Sequence, residues 1–305
     1  MKVINNITDL IGNTPMLMLK NLGFPPEVEV YAKLEFLNPG GSVKDRIGLW
    51  IIEEGIKAGL IKEGTTIVEA TAGNTGIAVA LAAQRYNLDV VFVVPDKFSV
   101  EKQTIMRALG AKIINTSSSK GLKGAFEKIE QLKEELKDVF VFDQFNNPLN
   151  PRAHFNTTAR EIEKQVKGNI DYFLAGAGSG GTFGGIMSHL KEKSPTIKGV
   201  LADPEGSIIG GGDCGDYKIE GIGNDFIPKT MDVQLIDSVI KVSDDNAFKC
   251  VKELSLKEGI IVGSSSGAAV SAVKKLIERE NITQGKIVTV LPDKGDRYLS
   301  QGLLD

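Results

Sequence analysis

The sequence predicts an α/β protein built on doubly wound parallel sheet, and three observations lead there. Short β-rich runs alternate with helix-periodic stretches along almost the whole chain. Several of these runs are continuous Val, Ile, Leu and Phe without polar alternation, as parallel strands covered by helices on both faces require. Glycine clusters fall where a strand or loop hands over to a helix, the junctions at which α/β folds bind ligands.

Taken in order, VEVYAKLEF (28–36) is the first strand, rich in β-branched and aromatic residues. A turn with two glycines leads into a helix over 45–54, whose IGLWII is apolar on nearly all sides and so belongs to a buried helix. TIVEA (66–70) is a strand, and TAGNTG carries it into a helix over 76–86. DVVFVVP (89–95) and AKIINT (111–116) are strands separated by a helix over 101–109. A helix over 124–135 leads to the strand DVFVFDQF (138–145), and a helix over 152–166 to DYFLAG (171–176). The run GAGSGGT then opens a helix over 183–192, and KGVLADP (198–204) is the next strand. From 205 to 228 the chain is glycine-rich without periodicity, a long connection suited to the mobile wall of a cleft. Helices over 245–257 and 267–280, the second entered through GSSSG, precede the last strand, KIVTVLPD (286–293).

The 305 residues allow two domains or one large α/β unit. With 42% hydrophobic and 25% charged residues, the chain is an ordinary soluble globular protein. Lys and Arg number 36 against 39 Asp and Glu, for a net charge of -3, and no basic run can track a phosphate backbone, so nucleic acid is excluded as a partner. The N-terminal stretch has no apolar signal region and no apolar run is long enough to span a bilayer, so no membrane partner and a cytoplasmic protein are expected. Cys214 and Cys250 stand far apart, outside any metal or disulfide pattern, and no metal site is expected. His154 and His189, both in helical stretches, read as surface or packed residues rather than catalysts.

In GAGSGGT, the glycines let backbone N–H groups converge on an anion at the positive end of a helix dipole, and a phosphate fits there. The same residues satisfy G-x-G-x-x-G, with Asp203 closing the next strand where a dinucleotide ribose needs an acid, so an NAD-dependent dehydrogenase is a rival. That rival leaves a second glycine loop, EATAGNTG, and the lysine of NPGGSVKDR unexplained. A Walker A reading fails because Asp45 follows the lysine where Ser or Thr holds magnesium. Lys44 sits at the edge of a buried helix, where partial burial lowers an ammonium pKa and favours imine formation. Together with a monophosphate loop downstream, it points to a pyridoxal phosphate enzyme.

The motifs KLEFLNPGGSVKDR, EATAGNTGIAVALAA, GAGSGGT, EGIGNDFIP and GSSSGAA stand in the order and approximate spacing of one family. The chain resembles, over nearly its whole length, the cysteine synthase and cystathionine β-synthase family of fold-type II pyridoxal phosphate enzymes. The resemblance implies two doubly wound sheets, as in the tryptophan synthase β chain. It implies a larger cofactor-binding domain of 1–47 and 149–305 and a smaller, mobile, substrate-side domain of 48–148. It implies that Lys44 forms the internal aldimine with pyridoxal 5'-phosphate and moves the substrate Cα proton. Gly178, Ser179, Gly180, Gly181 and Thr182 would cradle the phosphate, Asn74 would bond the ring hydroxyl, and Ser265 would face the pyridine nitrogen. Thr71, Ala72, Gly73, Asn74, Thr75 and Gln144 would hold the substrate carboxylate.

The implied reaction is β-replacement on L-cysteine or O-acetyl-L-serine through an aminoacrylate, with hydrogen sulfide as product or nucleophile, in a homodimer. A neutral hydroxyl at the pyridine nitrogen favours loss of a β-leaving group over transamination. Ala72 and Ser179 depart from the serine and threonine of common cysteine synthases. These variants are similar to the thiol-exchanging branch. Asp225 and Asp232 lie in the EGIGNDFIPKTMD loop. Asp232 is the better candidate for a base, and with it the alternative reaction is hydrolysis of L-cysteine to serine and sulfide.

Overall fold

The computed structural model describes residues 3–71, 73–96 and 99–304. The chain divides into two compact units, Met1–Ile11 with Asn38–Leu149 and Gly12–Leu37 with Asn150–Asp305. Strands β1 (Met16–Met18) and β2 (Glu27–Leu34) begin the larger unit. The chain then builds the smaller one with α1 (Lys44–Lys57), β3 (Thr66–Ala70), α2 (Asn74–Arg85) and β4 (Asp89–Pro95). It completes that unit with α3 (Val100–Ala108), β5 (Lys112–Thr116), α4 (Gly121–Glu135) and β6 (Val139–Val141). It returns to the larger unit through α5 (Leu149–Asn156), α6 (Thr158–Gln165), β7 (Tyr172–Gly176), α7 (Gly181–Lys193) and β8 (Lys198–Pro204). The last elements are β9 (Ser238–Val242), α8 (Asp244–Glu253), α9 (Ser264–Arg279) and β10 (Gln284–Leu291). The domain boundary expected at 47/48 falls inside α1, whereas the observed division keeps all of α1, and with it Lys44, in the smaller unit.

The smaller sheet has the order β5-β4-β3-β6 and is wholly parallel. Val68, Ala70, Val91 and Val93 pack on Ala125, Ile129 and Leu132 of α4. Helix α1 meets α2 closely because Gly48 has no side chain, since a Cβ there would lie 2.8 Å from the Ala78 carbonyl. The larger sheet runs β1-β2-β10-β7-β8-β9, parallel except for the antiparallel β1–β2 pair. Alternate residues of its strands enter two cores. Ile287, Leu174 and Val200 meet α9 on one face, and Val288, Phe173 and Leu201 meet Phe183 and Met187 of α7 on the other. Burial on both faces is why these strands are continuously apolar.

All eight expected strands are present, joined by β1 and β9. The helix expected over 152–166 is broken at Thr157, whose φ and ψ are -121° and -77° and whose hydroxyl donates back to the Ala153 carbonyl at 2.6 Å. At the sheet edge, Lys275 Nζ donates to the Lys241 carbonyl at 2.9 Å and Arg279 Nη1 to the Val239 carbonyl at 3.1 Å, so α9 covers acceptors that β8 does not use.

Candidate active site

Lys44 is the first residue of α1 and is half-buried. The turn before it is tightly held. The Gly41 N–H donates to the Asn38 carbonyl at 2.7 Å, with Gly41 at φ +80°, and the Gly40 N–H donates to the buried Asp45 carboxylate at 2.5 Å. The Lys44 N–H donates to Ser42 Oγ at 3.3 Å. Glycine is needed at 40 because a Cβ would lie 2.5 Å from Asp45 Oδ1. The two glycines and the serine therefore shape the backbone from which Lys44 projects.

The second glycine loop is the N-terminus of α2, with Gly73 at the cap position and no side-chain cap, a helix start at which the dipole favours an anion. Asn74 is the first helical residue. Thr71 and Thr75 are buried. Ala72 lies outside the described residues. The Thr75 hydroxyl donates to Gln144 Oε1 at 2.7 Å, which brings together two of the expected carboxylate-binding residues. Behind them lies Glu69, buried in β3, whose carboxylate oxygen accepts the Gln144 N–H at 3.2 Å. Burial pushes the Glu69 carboxyl up to about 8, the Asp143 charge adding to the rise while the Gln144 N–H opposes it.

Within the larger unit, residues 178–182 run from the end of β7 into the first turn of α7. Gly180 caps α7 in the left-handed region, with φ +83°, and no side chain caps the helix. Asn224 Nδ2 donates to the Gly178 carbonyl at 2.7 Å, and the Thr230 hydroxyl donates to the Ser179 carbonyl. Because trans peptides point C=O and N–H in opposite directions, these bonds aim the Ser179 and Gly180 amides away from the supporting loop. Asn150 Nδ2 donates to Ser179 Oγ at 2.9 Å, and a Cβ on Gly181 would lie 1.9 Å from Asn150 Oδ1. His154 is buried, with Nε2 3.2 Å from the Thr182 hydroxyl and Nδ1 2.9 Å from that of Thr158. The result is a ring of amide and hydroxyl donors at a helix N-terminus, suited to a phosphate monoester.

Ser265 is buried in the first turn of α9, and Gly221 packs over it, so that a Cβ there would lie 4.0 Å from Ser265 Oγ. Asp225 and Asp232 are exposed, and the Asp232 carboxylate accepts the Gln234 N–H at 3.0 Å as the cap of the short turn Val233–Leu235. Asp203, the acid of the dinucleotide reading, is fully buried, bound by Lys241 Nζ at 2.6 Å and by the Gly210 N–H at 3.0 Å. A carboxylate so engaged does not serve a ribose, which corrects the dehydrogenase alternative. Both histidines are packed, and His189 Nε2 donates to the Glu163 carboxylate at 2.7 Å. Asn150, Asn224, Thr230 and Glu69 were not expected at the site. For Glu69 a signal exists, a charged residue inside the apolar strand TIVEA.

A family model described as pyridoxal-phosphate dependent enzyme matches residues 7–293. The O-acetylserine dependent cystathionine beta-synthase of Bacillus subtilis is 50% identical, covering 100% of this chain and 99% of its own. A cysteine synthase of Helicobacter pylori is 48% identical over 99% of both chains. The crystal structure of a hydrogen sulfide-producing enzyme from Fusobacterium nucleatum superposes with a TM-score of 0.93 at 43% identity, covering 97% of this chain and 98% of that one.

Proposed function

Since the chain belongs to the family of pyridoxal-phosphate dependent enzymes, we propose that it catalyses β-replacement on O-acetyl-L-serine or L-cysteine, with hydrogen sulfide as nucleophile or product. Pyridoxal 5'-phosphate is its cofactor, and the residues present fit that group. The observation that carries the reading is the 178–182 loop, whose amides and hydroxyls converge at an uncapped helix N-terminus with its carbonyls tied back by Asn224 and Thr230. When bound, the cofactor supplies an electron sink for the pair released as the substrate Cα–H bond breaks.

In this reading Lys44 holds the cofactor through its amine and takes the Cα proton. Gly178, Ser179, Gly180, Gly181 and Thr182 hold the phosphate, Asn74 meets the ring hydroxyl, and the Ser265 hydroxyl meets the pyridine nitrogen without adding charge. Thr71, Gly73, Asn74, Thr75 and Gln144 hold the substrate carboxylate. The names of the relatives support the choice of O-acetylserine and sulfide. The enzyme is proposed to be a cytoplasmic homodimer. Among the described residues no helix is long and apolar enough to cross a membrane.

Product analysis of the purified protein with O-acetyl-L-serine and sulfide, with O-acetyl-L-serine and homocysteine, and with L-cysteine and homocysteine tests the proposal. The expected products are cysteine with acetate, cystathionine with acetate, and cystathionine with sulfide. Lys44→Ala is expected to abolish turnover, and borohydride reduction of the wild-type protein should fix the cofactor on Lys44. A cofactor mapped to another lysine would overturn the assignment.

A further inference from the structure

Glu69 lies at the C-terminal end of β3, the end at which parallel sheets present ligands, yet it is 2% exposed and cannot be a surface acid. Strand β6 ends beside it, where the Phe142 N–H donates to the Val68 carbonyl at 3.0 Å. The next residue, Asp143, is left-handed at φ +51°, and its carbonyl accepts the N–H groups of Asn146 at 3.1 Å and Asn147 at 2.9 Å. Gln144 therefore leaves a turn whose backbone is not at rest in the usual regions. The bond from its N–H to Glu69 ties that turn to the sheet, and the bond from Thr75 ties its side chain to α2.

We propose that Glu69 is the positioning residue of the substrate-carboxylate site: through the Gln144 main chain it fixes the amide that meets Thr75, and so sets affinity for the amino acid without touching it. This rests on the β-replacement reading. A carboxyl raised to about 8 by burial is neutral at pH 7, so it places no negative charge behind a loop that takes a carboxylate. Asp143 is the charged neighbour that acts on it.

The test compares the wild-type, Glu69→Gln and Glu69→Asp holoenzymes with O-acetyl-L-serine and sulfide. Glutamine keeps the length and an acceptor oxygen, whereas aspartate is one methylene too short to reach the Gln144 N–H. The expected result is a KM for the amino acid within about twofold of wild type for Glu69→Gln and raised about tenfold for Glu69→Asp, with kcat and cofactor absorbance unchanged in both. A tenfold change corresponds to about 1.4 kcal/mol, the size of one hydrogen bond lost. An unchanged KM in Glu69→Asp, or kcat falling in step with cofactor content, overturns the proposal. A second measurement needs no variant. In wild-type holoenzyme, L-serine, which has a poor leaving group, must slow hydrogen exchange at the Gln144 amide as well as around Thr75. Protection confined to Thr75 also overturns it. If the wild-type protein itself binds no cofactor and turns nothing over, it is the β-replacement reading that fails.

Discussion

The carboxylate of Asp232 accepts the Gln234 N–H, and a carboxylate that caps a turn has one oxygen already engaged. Asparagine caps about as well as aspartate, so Asp232→Asn is expected to leave folding and cofactor loading unchanged, with β-replacement of acetate by sulfide within about twofold. The same variant decides the hydrolytic alternative. If Asp232 is the base for water, release of serine from L-cysteine falls by ~10²–10⁴-fold while β-replacement persists. Equal rates in both assays would leave it as a cap. At this scale the sequence is readable where chemistry restricts residue type. Lys44 stands out because two glycines and a serine precede it, and the loop glycines because no other residue allows such close approach. Asn150 is not readable, since its contact with Ser179 joins residues 29 apart in sequence.

Among the elements, α7 shows how tightly a helix start is built. A methyl group on Gly181 would drive into Asn150, and Asn150 cannot retreat without releasing Ser179. Gly181→Ala is therefore expected to weaken cofactor binding at least about tenfold, read by titrating apoenzyme and following cofactor absorbance. Full affinity would mean that Asn150 yields at no cost. The strands of both sheets were legible because burial on two faces leaves long apolar runs. β9 was not, since SVIKV is covered only in part and reads as an ordinary amphipathic stretch. The break at Thr157 was hidden for another reason. Threonine inside a helix either points away or bonds back to the preceding turn, and only the surrounding packing selects which.

Across the whole molecule, the larger unit is discontinuous in sequence. β10 lies between β2 and β7, so that Gln284 is the register partner of Glu27 in one sheet. A sheet assembled from such distant segments passes through partly formed states with open edges. The cationic cover over β9 bears on this. A bare edge strand is a template on which another molecule's strand can add, and lysine and arginine placed across its carbonyls remove the acceptors such an addition needs. The double variant Lys275→Ala/Arg279→Ala is expected to fold and turn over normally at low concentration but to aggregate on concentrating or mild heating, as followed by light scattering. If it stays monodisperse under conditions the wild type tolerates, the edge is guarded by something else. Two side chains remote from the chemistry would thus govern solubility, deciding how much enzyme can be kept in solution and leaving untouched how fast each molecule works.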